Sequence, residues 1–435
     1  MLVSVIAVLS ANDALRNSAA ASAEGQMSLD VASTAAPESL QLDPTFPAIP
    51  IGNATSEGMM LEAMTPQGSQ GFVVRGTVDI DPSDPPSTVD GVAIFADPPI
   101  DLTIVCPGDA PVGNAQDVAT ALDVPGLNAK GLTGQNVAIG VMDNGINLTF
   151  LSTALGWTPA LDTGNSWNMP GSGGSAGGYP TDHGSMCAFD ALIAAPNATL
   201  VDFAIMGPGG GRLSDALAAY SQVLSSWAIS GSGGGLSQYN AVVLTNSWSI
   251  MNPAADFPPG SPGRYVDNPN HPLNLMVAAV VRAGVDVVFC AGNCGADCPD
   301  SRCGATSGSI CGANALDMVL TIAGCDTTGA RVGYSSQGPS IAGMYQEKPD
   351  VTAYTHFLGS QAFGAGSADS GTSAACPVAA GCVAAIRTLT ARGIDSNTVF
   401  GALRANTGAS GTAGWDADYG FGIVNPVAAA TSLGL

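Results

Sequence analysis

The sequence predicts an α/β protein: a mostly parallel sheet with helices on both faces, behind a small N-terminal β-containing module. Three observations point there. From about residue 108, strand-length apolar runs alternate with stretches of helical periodicity. Several of those runs are apolar throughout, as strands buried on both faces are. The polar residues that break them, Asp143, Asn246 and Asn293, fall at their carboxyl ends, where sheets of this kind place their sites.

The elements follow in chain order. Residues 1–65 are rich in Ala, Ser, Pro and Met and read as a leader or poorly ordered linker. The apolar start MLVSVIAVLS and the small residues Ala21, Ser22 and Ala23 suggest a cleaved signal, although the first cation is Arg16, behind the apolar run. No run reaches transmembrane length. Residues 66–107 form a second unit: GFVVRGTVDI, GVAIFAD and IDLTIVC are short strands around the acidic, Pro-rich DPSDPPSTVDG. Residues 108–435 make one large domain. NVAIGVMD and ATLVDFAIM are buried strands. In LSDALAAYSQVLSSWA, Leu213, Leu217, Tyr220, Leu224 and Trp227 share a helical face. Strand NAVVLTNS, helix PLNLMVAAVVRAG and strands VDVVFCAGN and MVLTIAG continue the alternation.

Charge narrows the function. Lys and Arg number 12 against 35 Asp and Glu, a net charge of −23. Nucleic acid and anionic membranes both require basic patches, so both are excluded as partners. Ten cysteines are present, four of them at Cys294, Cys298, Cys303 and Cys311. No His lies near them and the spacing lacks paired CxxC knuckles, so two disulfides within this Gly-rich loop are expected rather than a metal. Their pairing is open. Oxidised cysteines imply a secreted, extracellular or periplasmic location.

The residues able to do chemistry are few. The three histidines are His183, His271 and His356. His183 precedes an apolar helical stretch, His271 sits beside a Pro in an expected surface loop, and His356 has no acid close by in the sequence. Asp143 ends a buried strand, where a carboxylate needs a partner; an ordinary Asp-Asn-Gly turn is the alternative. Asn293 also ends an apolar strand, where its amide is either a turn former or a donor to a developing oxyanion. Ser373, in SGTSAACPVAAG, stands where a buried helix begins. Gly371 permits a sharp turn, the helix amides face that turn, and Pro377 is expected in the first helical turn, where a missing N–H is harmless.

Taken together these segments resemble the subtilases, subtilisin-like serine peptidases, over roughly residues 115–430. GLTGQNVAIGVMDNGI is similar to the family's Asp segment, and DHGSMCAFDALIAAPNATLVDFAIM to its His segment. NAVVLTNSWS resembles the substrate-lining strand, VVFCAGNCG the oxyanion Asn segment, and YSSQGPS and KPDVTA the connectors before SGTSAACPVAAG. YGFGIVNPVAA resembles the C-terminal signature. The order Asp, His, Asn, Ser also agrees.

The resemblance implies a subtilisin-like fold and a monomeric serine endopeptidase acting on protein or peptide. Asp143, His183 and Ser373 would form the triad, Asn293 would complete the oxyanion hole, and Asn246, Ser247, Trp248, Ala291 and Gly292 would line the substrate site. No cofactor is implied. A structural calcium is common in the family, but the loop that often holds it is shortened here and no site is assigned. By position, residues 66–107 would be a propeptide, cut between about Cys106 and Val124. Asp182-His183-Gly184-Ser185 replaces the usual Gly-His-Gly-Thr, and Ser247-Trp248-Ser249 is bulkier than the usual lining strand. Cys187 and Cys376 flank the presumed His and Ser; both read as small core hydrophobes rather than working thiols. A subtilase fold that has lost activity and serves as a binding module, or an ester hydrolase, are the alternatives.

Overall fold

The structure, a computed structural model, describes residues 1–10, 36–51, 71–102, 110–228, 235–390, 393–408 and 414–435. Six strands build an antiparallel N-terminal sheet: β1 (Leu2–Ser10), β2 (Leu40–Leu42), β3 (Ile49–Ile51), β4 (Gly71–Asp79), β5 (Thr88–Val89) and β6 (Val92–Ala96). β1 lies between β4 and β6, with Leu2 opposite Asp79 and Ser10 opposite Gly71. The expected leader is therefore corrected for residues 2–10, and residues 36–51 add two further strands. The run is apolar because both its faces are covered. Val5, Ala7 and Leu9 pack with Leu40, Phe72 and Val74, while Ile6 and Val8 face Leu217, Tyr220 and Leu273 of the large domain. The suggested Ala21–Ala23 cleavage signal lies outside the described residues.

β7 (Pro99–Leu102) leaves this sheet and runs onto the large domain, which begins with α1 (Ala115–Ala121) and α2 (Val124–Ala129). The remaining strands are β8 (Val137–Asp143), β9 (Trp167–Asn168), β10 (Thr199–Ala204), β11 (Gly211–Arg212), β12 (Ala241–Asn246), β13 (Trp248–Ser249), β14 (Asp286–Cys290), β15 (Leu320–Cys325) and β16 (Val351–Tyr354). The helices are α3 (Leu148–Leu155), α4 (His183–Ala194), α5 (Leu213–Ala228), α6 (Pro272–Arg282), α7 (Thr372–Thr390), α8 (Ser396–Ala405) and α9 (Pro426–Ser432). Seven strands form one parallel sheet in the order β16-β15-β14-β12-β8-β10-β9. Alternate residues of β8 serve opposite faces. Val137, Ile139 and Val141 join α4 and α7, whereas Ala138 and Met142 join α5 and α6. Side chains of a strand alternate in direction, so a strand covered on both sides is apolar at every position.

α7 is the core helix. It is long and apolar enough to cross a membrane by composition, contrary to the expectation that no segment is, yet 89% of its apolar window is buried inside the protein. It packs closely on α4: a Cβ added at Gly381 would lie 2.2 Å from the Ala191 carbonyl oxygen. Any larger residue there would separate the two helices that carry His183 and Ser373.

The N-terminal sheet is bound to the large domain by polar joints as well. Asp97 accepts from the Ser214 N–H (2.9 Å) and hydroxyl (3.0 Å). Arg75 pairs with Asp215 at 2.7 Å. His271, expected on the surface, is fully buried; it caps α6 by accepting from the Leu273 N–H, and its Nε2 donates to the Ala96 carbonyl at 3.0 Å. Burial pushes its pKa down to about 3 against the opposing pull of that bond, so the ring is neutral and structural.

Candidate active site

The carboxyl ends of β8, β12 and β14 and the start of α7 converge on one spot. Asp143 is the last residue of β8. His183 is the first of α4, where Asp182 caps the helix by accepting its N–H at 2.8 Å. Both Asp143 carboxylate oxygens lie 2.9 Å from His183 Nδ1. A carboxylate only accepts, so Nδ1 carries the proton and Nε2 is the basic nitrogen. That nitrogen is buried and has no hydrogen-bond partner. Burial works against a charged ring, but the Asp143 charge and hydrogen bond outweigh it and the His183 pKa is raised above 6.5.

Asn293 lies three residues past the end of β14, just after Gly292, whose φ of +95° suits glycine. Its Oδ1 accepts from both the N–H and the hydroxyl of Thr372, each at 2.9 Å. Those two donors fix the amide, so its Nδ2 is left buried without a partner. Thr372 is the orienting residue the sequence reading missed; only its place beside Ser373 hinted at it.

Ser373 is the second residue of α7, and its Oγ donates to the Ser247 carbonyl at 3.2 Å. Pro377 lies beyond the first turn, contrary to expectation. It removes the N–H that would bond to the Ser373 carbonyl. That carbonyl instead accepts from Ser247 Oγ at 2.9 Å and Cys187 Sγ at 3.5 Å. Ser247 thus holds the Ser373 turn from both sides.

The other expected lining residues divide. Asn246 turns inward, its Oδ1 accepting from the Tyr220 hydroxyl (2.9 Å) and its Nδ2 donating to the Val288 carbonyl (3.1 Å). Trp248 is fully buried, its ring edge-on to Phe289 at 5.3 Å, and fills core rather than cleft. Ala291 is likewise buried in the core. The edge of the cleft is therefore backbone, and it is taken: β7 pairs antiparallel with β13, Leu102 opposite Trp248 and Asp101 opposite Ser249, and with β11 on its other side.

Cys187 is both core and neighbour of the site, with Sγ 3.5 Å from Asp143 Oδ2 and 3.7 Å from His183 Nδ1. Burial pushes its pKa well up, so it remains a thiol. Cys376 is buried against Thr245 at 3.3 Å, its pKa pushed up to about 12 by burial. Among the described residues, Asp143, His183 and Cys187 are the single grouping of three metal-ligating side chains, their ligand atoms within 4.8 Å of one another. His356 is buried beside the Tyr334 ring, both its nitrogens without partners. Of the four loop cysteines, Cys294 pairs with Cys303; Cys298 is disulfide-bonded but to none of the other three, and Cys311 is a buried thiol. This corrects the two disulfides expected within the loop.

A second acidic pair lies behind the site. Asp190, on the His183 helix, has both oxygens buried without a donor. Burial, and then the neighbouring Asp369, push its pKa well above 3.8. Asp369, four residues before Ser373, accepts from the Ser360 hydroxyl at 2.7 Å. Two facing carboxyls need a shared proton. A raised folded pKa contributes stability that is fully present below the unfolded value, near 4, and is lost as pH rises through the folded value. Asp190→Asn, which keeps a donor toward Asp369, should remove that loss. Melting temperatures should therefore show the variant gaining on the wild-type protein from acid toward alkaline pH; a pH-independent difference would refute the shared proton.

Residues 134–422 match the family model described as the subtilase family. Among solved structures, MycP1 with its N-terminal propeptide removed is similar at 18% identity and a TM-score of 0.51, over 74% of this chain and 98% of that one. MycP1 from the ESX-1 type VII secretion system is similar at 17% identity and a TM-score of 0.50, over 81% and 96%. A lanthipeptide protease is similar at 18% identity and a TM-score of 0.49, over 73% and 94%. No curated protein matches the chain.

Proposed function

The chain belongs to the subtilase family, and on that premise we propose that it is a serine endopeptidase with Ser373 as nucleophile, His183 as general base, Asp143 as partner of the imidazole and Asn293 as oxyanion donor. One observation carries the reading. Two buried polar atoms, His183 Nε2 and Asn293 Nδ2, are each oriented by a bonded partner behind them and lack one in front. Leaving such groups unpaired costs about 1–3 kcal/mol each, which a reacting substrate would relieve.

The steps follow from this assignment. The Ser373 side chain turns from the Ser247 carbonyl to His183 Nε2, a change between staggered wells. Nε2 takes the hydroxyl proton as Oγ bonds to the peptide carbonyl carbon. The carbonyl electron pair moves onto oxygen, which meets Asn293 Nδ2 and the Ser373 N–H at the start of α7. His183 returns the proton to the amine nitrogen as the C–N bond breaks, and water repeats the sequence on the acyl-enzyme. None of these steps uses a cofactor.

Protein or peptide substrate would lie extended between β11 and β13, bound mainly by backbone. Because β7 holds those edges, the intact chain is a latent form, relieved by cleavage after the N-terminal module. The expected cut between Cys106 and Val124 remains part of this proposal; residues 103–109 lie outside the described residues. The Cys294–Cys303 disulfide favours an extracellular or periplasmic location.

A fluorophosphonate tests the assignment. It should label Ser373 alone, faster once the N-terminal module is removed. The rate should rise with pH through a midpoint above 6.5, as His183 loses its proton. A label on another serine, or a rate indifferent to pH, would overturn it.

A further inference from the structure

We propose that Arg302 is a specificity-determining residue: it selects substrates bearing an acidic side chain at the third residue before the scissile bond. The proposal rests on the peptidase reading and names its substrate class.

β7 shows how an extended chain lies on these edges. Asp101 faces Ser249 and Leu102 faces Trp248, so a longer strand in this register sets its next residue opposite Ser247. The Ser247 carbonyl is where Ser373 Oγ donates, at 3.2 Å. The residue opposite Ser247 therefore presents its carbonyl to the nucleophile. Asp101 marks the place two residues earlier.

Arg302 reads that place. Its Nη2 donates to the Leu102 carbonyl at 2.6 Å, a contact any peptide can make. Its Nη1 reaches Asp101 Oδ1 at 3.3 Å, a contact that a carboxylate makes more strongly than an amide oxygen does. The guanidinium is held for both tasks. Asp300 takes its Nε at 2.9 Å and its Nη2 at 3.0 Å, and also takes the Arg302 N–H at 2.9 Å. The loop carrying both residues is closed by the Cys294–Cys303 disulfide and tied to the oxyanion segment by the Asp300 N–H, which donates to the Asn293 carbonyl at 2.9 Å. A preorganised fork loses less on binding than a free arginine does.

Burial raises the Asp101 pKa against the pull of the Arg302 charge, and the chain's net charge of −23 repels an acidic substrate at long range, so the gain for an acid rests on the directed Arg302 contact alone. Asp101 is about one-third exposed (29%) and Arg302 similar (34%), which limits the local gain. Asp300 neutralises part of the guanidinium charge. A preference of about fivefold for Asp or Glu over their amides is the expected size.

Cleavage of a denatured proteome by the purified full chain, activated by limited proteolysis after β7, is the test. Sequencing the new ends should show Asp and Glu enriched about fivefold at the third residue before the cut. Arg302→Gln should abolish the enrichment, and Arg302→Glu should replace it by Lys and Arg. Matched peptides differing only by Asp or Asn at that residue give the same answer with wild-type protein, should the variants not fold. Cleavage without charge preference there overturns the proposal and leaves the peptidase reading intact. Absence of any cleavage overturns the peptidase reading. In that case hydrogen exchange on the intact chain decides the recognition: Asp101→Lys should strip protection from β7 amides, and unchanged protection overturns it.

Discussion

Ser373→Ala should lower peptide turnover by about 10⁶-fold, a size carried over from the loss measured for the nucleophile of a related subtilase. The prediction is sharp because the fold should hardly register the change. Ser373 is fully buried and its Oγ donates to the Ser247 carbonyl, while the turn is kept by the separate bond from Ser247 Oγ to the Ser373 carbonyl. Losing one neutral hydrogen bond costs about 1 kcal/mol. Melting should fall by no more than a few degrees as catalysis vanishes. Single-turnover assays on a peptide beside a thermal melt would check both halves. Near-normal turnover in this variant would remove Ser373 from the mechanism.

Asn293→Ala should lower kcat by about 10²–10³ with little change in KM, again a size known from a related subtilase. The expected split follows from geometry. Nδ2 is unpartnered before reaction, so its hydrogen bond strengthens only as charge develops on the carbonyl oxygen. The variant should also be less stable, since Thr372 loses the acceptor of both its N–H and its hydroxyl in a dry site. Measuring kcat and KM separately distinguishes the two effects. A rise in KM at unchanged kcat would make Asn293 a binding group rather than an oxyanion donor.

The parallel sheet and its helices were legible because their signals are local. Apolar runs bounded by Asp143, Asn246 and Asn293 mark strands ending at the site edge. Asp143 and His183 were reachable as candidates because one ends a strand and the other begins a helix, whereas Thr372, which fixes Asn293, gave no signal of its own. What was illegible depended on remote partners. β1 resembles a leader until Gly71–Asp79 is placed beside it, some 70 residues on. Trp248 looked like a cleft residue because sequence does not say which side of a strand meets the core. His271 is buried by a carbonyl from another sheet, that of Ala96. Pro377 was placed too near the helix start, and the compensation for its missing N–H, the Ser247 hydroxyl, comes from the break between β12 and β13, 126 residues before the Ser373 carbonyl it serves.

The strand lying along β13 belongs to the same polypeptide as the cleft it fills, and this changes how access to the cleft is regulated. A tethered segment is present at an effective concentration of about millimolar whatever the dilution of the protein. Diluting the intact chain cannot free the cleft, and a diffusing peptide with the same contacts would have to reach that concentration to compete. Turning the segment into an ordinary, dissociable ligand takes a covalent cut after β7 and the opening of any disulfide, such as that of Cys298, that ties it to the large domain.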